Sequence, residues 1–427
     1  MIKRILTLCL AALMCLAFVG CSKTNNNNPE PTAVPNGDPQ GIAYLNEVGT
    51  IAPLTVYKTN GRVNYASEVD PLMLAANNIF AANMINALGD GWTGVFSPFS
   101  IQVALEILAN GGDDATAERL LNAVCPGMTR EAVNMSAARL LTILKGTDGI
   151  MMDTATVVNN NYRLALDFAN KAANYYGSSV GALDFNDPEA AMNEINNWVS
   201  NNTGKLIEKM FDDLGADTAI VILNVMTLKL NWESSFATLR EQIQFNGLNG
   251  TLPTSVMAAW NEYSYGEFEN GRMAVVPFEG GEYAAAFILP AEGVTPSAAA
   301  ASMLSSMNLC KPGKLYIKIP KVELKSRIDV MKMADNLGLR EAFDGHYPLL
   351  INDDSVAISR VEQSSVFFLN EEGVTASSAT AVVGTKGANE NPPSGYIDFT
   401  CDRPFAILIY HVATGTVLYV SIVNDIG

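Results

Sequence analysis

Residues 370–386 read NEEGVTASSATAVVGTK, a segment without large side chains between Gly373 and Thr385 that directly follows the strand-like run SSVFFL. A flexible polar linker is the simplest interpretation, but linkers are usually rich in Gly, Ser and Pro and poor in β-branched residues. This segment instead contains several residues that favour strands: Val374, Thr375, Thr380, Val382, Val383 and Thr385. We interpret it as a loop with the composition of a β-strand.

If the segment became a strand, alternate side chains would face opposite sides of a sheet. One side would carry Val374, Ala376, Ser378, Thr380 and Val382, and the other Thr375, Ser377, Ala379, Ala381 and Val383. Small, weakly polar side chains can be buried against a sheet without a clash or a charge penalty. The segment is therefore suited to enter a sheet.

The first half of the chain has helical patterns. Asp70-Pro71 and Asp187-Pro188 each combine an N-cap residue with a proline at the first helical position, and apolar residues then recur at helical spacing. Further helical stretches lie near residues 115–124 and 130–144. This half is expected to fold as several amphipathic helices.

The second half has strand patterns. From Thr218 onward, apolar β-rich runs are separated by Gly, Pro and Asn. The last two runs are apolar on both faces and joined by the short connection 413–416, which predicts a buried hairpin. Helices followed by strands, without repeats or an internal linker after Asp70, indicate one α+β domain.

Composition and spacing argue against several functions. The formal net charge of −17 disfavours nucleic acid and anionic lipid as partners. A hydrolase is disfavoured because His411 lies inside an apolar run and His346, the other histidine, follows a turn signal. No residues have metal-ligand spacing, so neither a metal nor a cofactor is expected. The isolated cysteines are expected to be small buried apolar residues: Cys125, Cys310 and Cys401.

The N-terminus carries an export signal. Lys3 and Arg4 precede an apolar run that is short for a bilayer span, so residues 1–20 are interpreted as a signal peptide. The end of the run, FVGCS, resembles a bacterial lipobox, which makes Cys21 the predicted lipidated residue; an ordinary cleaved signal is the alternative. Residues 21–69 comprise Cys21, an Asn- and Pro-rich flexible tether at residues 22–39 and an N-terminal extension of the domain. We expect a secreted protein held in a bacterial cell envelope, at the outer membrane or cell surface, by lipid alone.

The segment from Glu371 resembles the reactive-loop hinge of the serpins, the serine protease inhibitor superfamily, in which an acidic pair, a glycine and small residues precede the scissile bond. The matching positions are Glu371, Glu372, Gly373, Val374, Thr375, Ala376, Ser377, Ser378 and Ala379. Other blocks resemble serpin sequences in the same order, among them VFSPFSIQVALEILANGG, NVMTLKLNW, LYIKIPKVEL and DRPFAILIYHVATGTVLYV. The resemblance implies one serpin domain, residues 70–427, with about nine helices, three sheets and an exposed loop that can insert into the large central sheet.

The resemblance also implies the activity, which is inhibition and not catalysis. A serine protease, trypsin-like or elastase-like, or else a cysteine protease, attacks the loop; the cleaved loop inserts into the sheet and strands the acyl-enzyme. Val374, Ala376 and Ser378 place neither charge nor bulk in the way of insertion. These residues favour an inhibitor over a non-inhibitory surface binding module of the same fold. The inhibitor is expected to be a monomer.

Two further regions of the serpin pattern control the opening of the sheet. The shutter is matched by Ser97, Pro98, Ser100, Asn224 and Gln363, and the near-universal tryptophan of the breach by Trp232. Gln363 stands where a histidine is usual. Because glutamine donates and accepts hydrogen bonds as neutral histidine does, we expect a working lock without pH sensitivity.

The scissile bond is predicted at Lys386-Gly387. Lys386 is the only basic residue of the loop, and a trypsin-like protease requires one for its acidic specificity pocket. An elastase-like protease could equally use small residues of the same loop: Val382, Val383 and Gly384. Because the loop is longer than is usual for serpins, counting forward from the hinge puts the bond near Gly387-Ala388, and counting back from Pro404 puts it near Pro393.

Overall fold

The computed structural model describes residues 43–44, 66–215, 217–239, 241–353, 356–375 and 394–426. The predicted signal peptide, Cys21 and the tether lie outside these ranges, as does the N-terminal extension up to residue 69 except for residues 43–44 and 66–69. Part of the predicted loop also lies outside them, namely Ala376, Ser377, Ser378, Ala379, Lys386 and Gly387. In the described ranges, no helix is both long enough and apolar enough to span a membrane.

The described residues form eight α-helices and two short 3-10 helices, where the resemblance implies about nine helices. The α-helices are α1 (Pro71–Leu88), α2 (Pro98–Ala109), α3 (Asp114–Val124), α4 (Arg130–Leu144), α5 (Leu166–Tyr176), α6 (Pro188–Asn202), α7 (Pro296–Met303) and α8 (Arg340–Phe343). The 3-10 helices are Met307–Leu309 and Val330–Met333. Both predicted N-caps are confirmed, because the Asp70 and Asp187 carboxylates accept first-turn N–H bonds at 2.9 and 3.2 Å.

Eighteen strands lie in the described ranges. They are β1 (Gly94–Phe96), β2 (Ile150–Asn159), β3 (Ser179–Leu183), β4 (Ile220–Leu228), β5 (Leu230–Asn231), β6 (Ala237–Thr238), β7 (Ile243–Gly247), β8 (Gly250–Thr254), β9 (Val256–Phe268), β10 (Gly271–Pro277), β11 (Tyr283–Pro290), β12 (Lys311–Pro320), β13 (Val322–Asp329), β14 (Arg360–Asn370), β15 (Gly373–Thr375), β16 (Ile397–Thr400), β17 (Phe405–His411) and β18 (Val417–Val423). The helices and strands confirm the predicted α+β class.

The strands form three sheets. The seven-stranded central sheet has the order β3-β2-β4-β14-β15-β5, with β13 also paired to β14. A nine-stranded sheet has the order β1-β18-β17-β11-β10-β9-β12-β16, with β6 paired to β9, and β7 and β8 form a two-stranded sheet. The predicted C-terminal hairpin is confirmed, since β17 and β18 pair antiparallel and every residue in both is buried.

Both faces of the central sheet are covered. On one face, Ile222 of β4 and Phe367 of β14 belong to the main core, together with residues of α1 and α2. On the other face, Leu223 and Val366 belong to a second core with Trp198 of α6. Between β4 and β14 runs a parallel pairing of residues 221–226 with residues 360–365, which we call the seam.

Candidate functional site

The first residues of the predicted loop form a strand at one end of the seam. β15 pairs antiparallel with β14, with Gly373 opposite Asn370, and pairs with β5 on its other side. Gly373 has φ of 153°, and a Cβ atom there would lie 1.9 Å from the Leu230 carbonyl oxygen. Only glycine therefore fits at the point where the loop enters the sheet.

The Val374 side chain anchors this short strand in the main core. It is 1% exposed and lies directly opposite Leu369 on β14 and Leu230 on β5. Directly opposite residues of an antiparallel pair share a face of the sheet. Val374 thus points to the main-core face.

The acidic pair fastens the turn before β15. The Trp232 backbone N–H donates to the Glu372 carbonyl oxygen at 2.8 Å. The Glu371 carboxylate accepts a hydrogen bond from the Thr238 hydroxyl and lies 3.1 Å from the Lys321 ammonium nitrogen. Burial acts to raise the pKa of Glu371, but the Thr238 hydrogen bond and the Lys321 charge outweigh burial and hold this pKa below its usual value.

Trp232 lies beside the same turn. Its indole N–H donates to the Asn370 carbonyl oxygen at 3.0 Å, and its ring stacks on Phe278 with centroids 4.5 Å apart. The side chain is buried. Trp232 therefore holds the end of β14 at the point where the chain turns back into β15.

The residues that match the shutter meet in the middle of the seam. Gln363 of β14 and Asn224 of β4 are register partners. The Gln363 side-chain oxygen accepts from the Ser97 N–H at 2.8 Å, and its amide nitrogen lies 2.9 Å from the Ser97 carbonyl oxygen, 2.5 Å from Ser100 Oγ and 3.3 Å from Asn224 Oδ1. The Asn224 amide donates to the Ser100 carbonyl oxygen at 2.6 Å. Pro98 is the first residue of α2, and Ser97 and Ser100 flank it. These hydrogen bonds therefore fasten both seam strands to the start of α2.

Replacing Gln363 by histidine is expected to make the stability of the native protein pH-dependent. The buried Ser97 N–H requires an acceptor, which a neutral imidazole supplies and an imidazolium cannot. The native-state pKa of this histidine would therefore be lowered, so its stabilisation is present above about pH 6.5 and is lost as the pH falls below that value. The measurement is the melting temperature of variant and wild type from about pH 5 to pH 8.

The same substitution at Gln244, an exposed residue of β7, is the matched control. It should leave the pH profile of the wild type unchanged, because an exposed histidine has nearly the same pKa in the folded and unfolded states. A flat profile for Gln363→His would contradict the acceptor role of residue 363.

The remaining residues singled out from the sequence are histidines and cysteines. His411 is buried in β17, as predicted, with Nδ1 2.9 Å from Thr414 Oγ1, and burial lowers its pKa. Cys125 and Cys401 are buried as expected, whereas Cys310, between the 3-10 helix Met307–Leu309 and β12, is only partly buried. No group of three His, Cys, Asp or Glu residues in the described ranges is arranged to hold a metal ion.

Sequence reasoning missed the partners of Glu371. Thr238 forms part of the two-residue strand β6, and Lys321 lies between β12 and β13, so both are distant in sequence from the hinge. A lone lysine between two strands carries no pattern that would identify it. Only the packing of the sheets brings these residues together.

Comparison with known proteins gives consistent results. The family model described as Serpin (serine protease inhibitor) matches residues 75–426. An uncharacterized serpin-like protein of Thermococcus kodakarensis is 27% identical over 95% of this chain and 96% of its own length. Iripin-2 of Ixodes ricinus is 28% identical over 82% of this chain and 93% of its own length.

Solved structures agree on the fold. The native state of tengpin, a thermophilic serpin, superposes with a TM-score of 0.77 at 20% identity and covers 86% of this chain and 98% of its own. Serpin48 from the insect Tenebrio molitor superposes with a TM-score of 0.72 at 21% identity, covering 84% of this chain and 99% of its own.

Proposed function

The chain belongs to the serpin family, whose members generally inhibit proteases, and we propose that it traps serine proteases, and by the same route cysteine proteases, as a suicide substrate. The protease attacks the loop and forms an acyl-enzyme. The cleaved loop then inserts between β4 and β14 and carries the protease away before water can release it. The observation that carries this proposal is β15, which already occupies the first position of the new strand.

The register of β15 supports a specific alignment for the inserted strand, if the strand continues along β14. Thr375 is opposite Phe368, and each further loop residue would face the preceding residue of β14. On this register Thr380 would face Gln363, and Val383 would face Arg360, the first residue of β14. The eleven residues of β14 thus match residues 373–383, which the sequence singles out as suited to a strand.

The composition of the loop fits both covered faces of the sheet. Alternate residues counted from Val374 would point into the main core, and they are all small or β-branched: Ala376, Ser378, Thr380 and Val382. The residues between them would point to the opposite face, toward α6. None in residues 374–383 is charged, so insertion buries no unpaired charge.

In this mechanism the chain supplies a substrate-like peptide, and the protease supplies the catalytic groups. The protease hydroxyl or thiol attacks the Lys386 carbonyl carbon, the Lys386-Gly387 bond breaks, and the Gly387 nitrogen leaves as an amine that takes up the proton. An ester or thioester then joins Lys386 to the protease. Only two residues lie between Lys386 and the end of the proposed strand at Val383, so the bound protease would follow the strand across the molecule.

We further propose that the inhibitor acts as a monomer anchored to a bacterial cell envelope through lipid on Cys21. The support is the N-terminal sequence, in which a basic start, an apolar run and FVGCS precede the Asn-rich tether. A tether of this composition would let the domain reach proteases near the surface while the anchor limits its diffusion.

A trypsin-like protease is expected to form a complex with the protein that survives SDS, and to release a C-terminal fragment that begins at Gly387. The complex persists because an ester bond joins the two chains, and mass spectrometry of the fragment identifies the bond. Lys386→Gln is the matched variant, which should lose the complex with trypsin-like proteases and keep any complex with elastase-like ones. Complete cleavage of the loop by every serine and cysteine protease tested, with no complex, would refute the proposal.

A further inference from the structure

One segment covers the seam from the side of α6. Residues 203–215 lead from α6 toward β4, and their side chains Met210 and Phe211 belong to the second core. The same core contains Val225 from β4 and Phe368 from β14. We call residues 203–215 the cover, because Met210 and Phe211 share this core with residues of both seam strands.

Arg327 connects the cover to the far side of the seam. It lies on β13, which pairs with β14 over eight residues and not with β4. Its Nη1 donates to the Met210 carbonyl oxygen at 2.6 Å and lies 3.6 Å from Asp212 Oδ2. One guanidinium group therefore joins β13 to a segment that continues into β4.

Glu362 holds the same guanidinium from β14. Its Oε2 lies 3.3 Å from Arg327 Nε, and its Oε1 lies 3.3 Å from Arg360 Nη1. The Glu362 side chain is buried and faces Leu223 of β4 in the seam. The contact between Arg327 and Glu362 lies wholly on the β13–β14 side, whereas the contact between Arg327 and Met210 crosses the seam.

Insertion of a strand would affect these two contacts differently. Neighbouring strands lie about 4.8 Å apart, so a new strand between β4 and β14 would move β13 and β14 away from β4 by about that distance. A hydrogen bond cannot survive such a displacement. The bond from Arg327 to Met210 would break if the cover stays with β4, while the pair with Glu362 would remain intact.

We propose that Arg327 is a tie across the seam that slows strand insertion. The tie must break before the cover and β14 can separate, so it adds to the barrier for opening without stabilising the inserted form. This proposal deepens the proposed function and rests on it, because it requires that a strand enters this seam.

The test is the rate at which the intact protein takes up a synthetic peptide copying residues 373–383, followed by native mass spectrometry. Arg327→Met keeps the bulk of the side chain but removes its donors, and should speed uptake about tenfold, as expected for the loss of one charge-assisted hydrogen bond. Glu362→Gln keeps an acceptor for Arg327 and the bond to Met210, and should change the rate less than about threefold.

Lys325→Met is the matched control, since Lys325 lies on the same strand and pairs only with Glu323 among the described ion pairs, at 3.2 Å. It should leave the rate unchanged. An unchanged uptake rate in Arg327→Met would overturn the tie. Equal acceleration by Glu362→Gln would also overturn it, because the ion pair of Arg327 and Glu362 would then act only through the stability of β13 and β14.

Peptide uptake does not depend on protease inhibition, so the two proposals can fail separately. Faster uptake by Arg327→Met in a protein that traps no protease would support the tie and refute the inhibitor. If the wild-type protein traps a protease but Arg327→Met takes up the peptide at the wild-type rate, the inhibitor is supported and the tie is refuted.

Discussion

Val374→Arg is expected to convert the protein from an inhibitor into a substrate. Val374 is 1% exposed on the main-core face of the sheet, so an arginine there would have to bury a charge among Leu230 and Leu369. An unpaired buried charge costs several kcal/mol, so in the uncleaved variant residue 374 should leave β15 for solvent. Burying it again during insertion then slows insertion by more than about tenfold. The protease would then complete hydrolysis before insertion strands it.

Two measurements check this conversion. The number of inhibitor molecules consumed per trapped protease should rise at least about tenfold. Cleavage of the loop should also no longer raise the melting temperature, whereas in the wild type we expect a sharp rise because the inserted strand adds pairing on both sides.

Val412→Arg is the control for this substitution, because Val412 is 46% exposed in the β17–β18 connection. It should trap protease as the wild type does. If Val374→Arg folds, is cleaved in the loop and still forms the complex at the wild-type ratio, insertion of residue 374 is not required and the proposed mechanism is wrong.

Glu106→Gln is expected to stabilise the native protein by about 3 kcal/mol above pH 7. Glu106 lies on α2 and is 2% exposed; its Oε1 accepts from Gln102 Nε2 at 3.0 Å and lies 3.1 Å from Cys125 Sγ. Its Oε2 has no hydrogen-bond partner in the described part of the chain. Burial raises the pKa of Glu106 to about 7, against the smaller lowering effects of Cys125 and Gln102.

The sign of the pH dependence follows from that raised pKa. The native state favours the protonated carboxyl, so the wild-type protein is fully stabilised below the unfolded-state pKa of about 4.5 and loses this stability as the pH rises toward 7. Glutamine does not titrate. The variant and wild type should therefore have similar midpoints of urea unfolding near pH 4.5 and diverge up to pH 7.

Glu341→Gln is the control, since Glu341 is an exposed carboxylate in a surface pair with Arg119. Its removal should shift the urea midpoint little at any pH. Parallel pH profiles for wild type and Glu106→Gln would mean that the pKa of Glu106 is the same in the native and unfolded states, contrary to its burial.

Local patterns in the sequence predicted the elements correctly where the signal lies within a few residues. The caps at Asp70 and Asp187 begin α1 and α6, and the last two apolar runs form the buried hairpin of β17 and β18. The hinge glycine, Gly373, occupies a backbone conformation that only glycine tolerates well. The scissile bond at Lys386-Gly387 and the lipidation of Cys21 stay predictions.

The contacts that control the seam could not be read from such patterns. Gln363 and Ser97 are 266 residues apart in sequence, and Arg327 and Met210 are 117 apart, yet each pair is joined by a hydrogen bond. Glu106 looks like an ordinary helix residue until the neighbouring helices bury it. Periodicity and capping reflect interactions within one element, which the sequence determines alone; partners across a sheet depend on how elements pack, which only the tertiary structure decides.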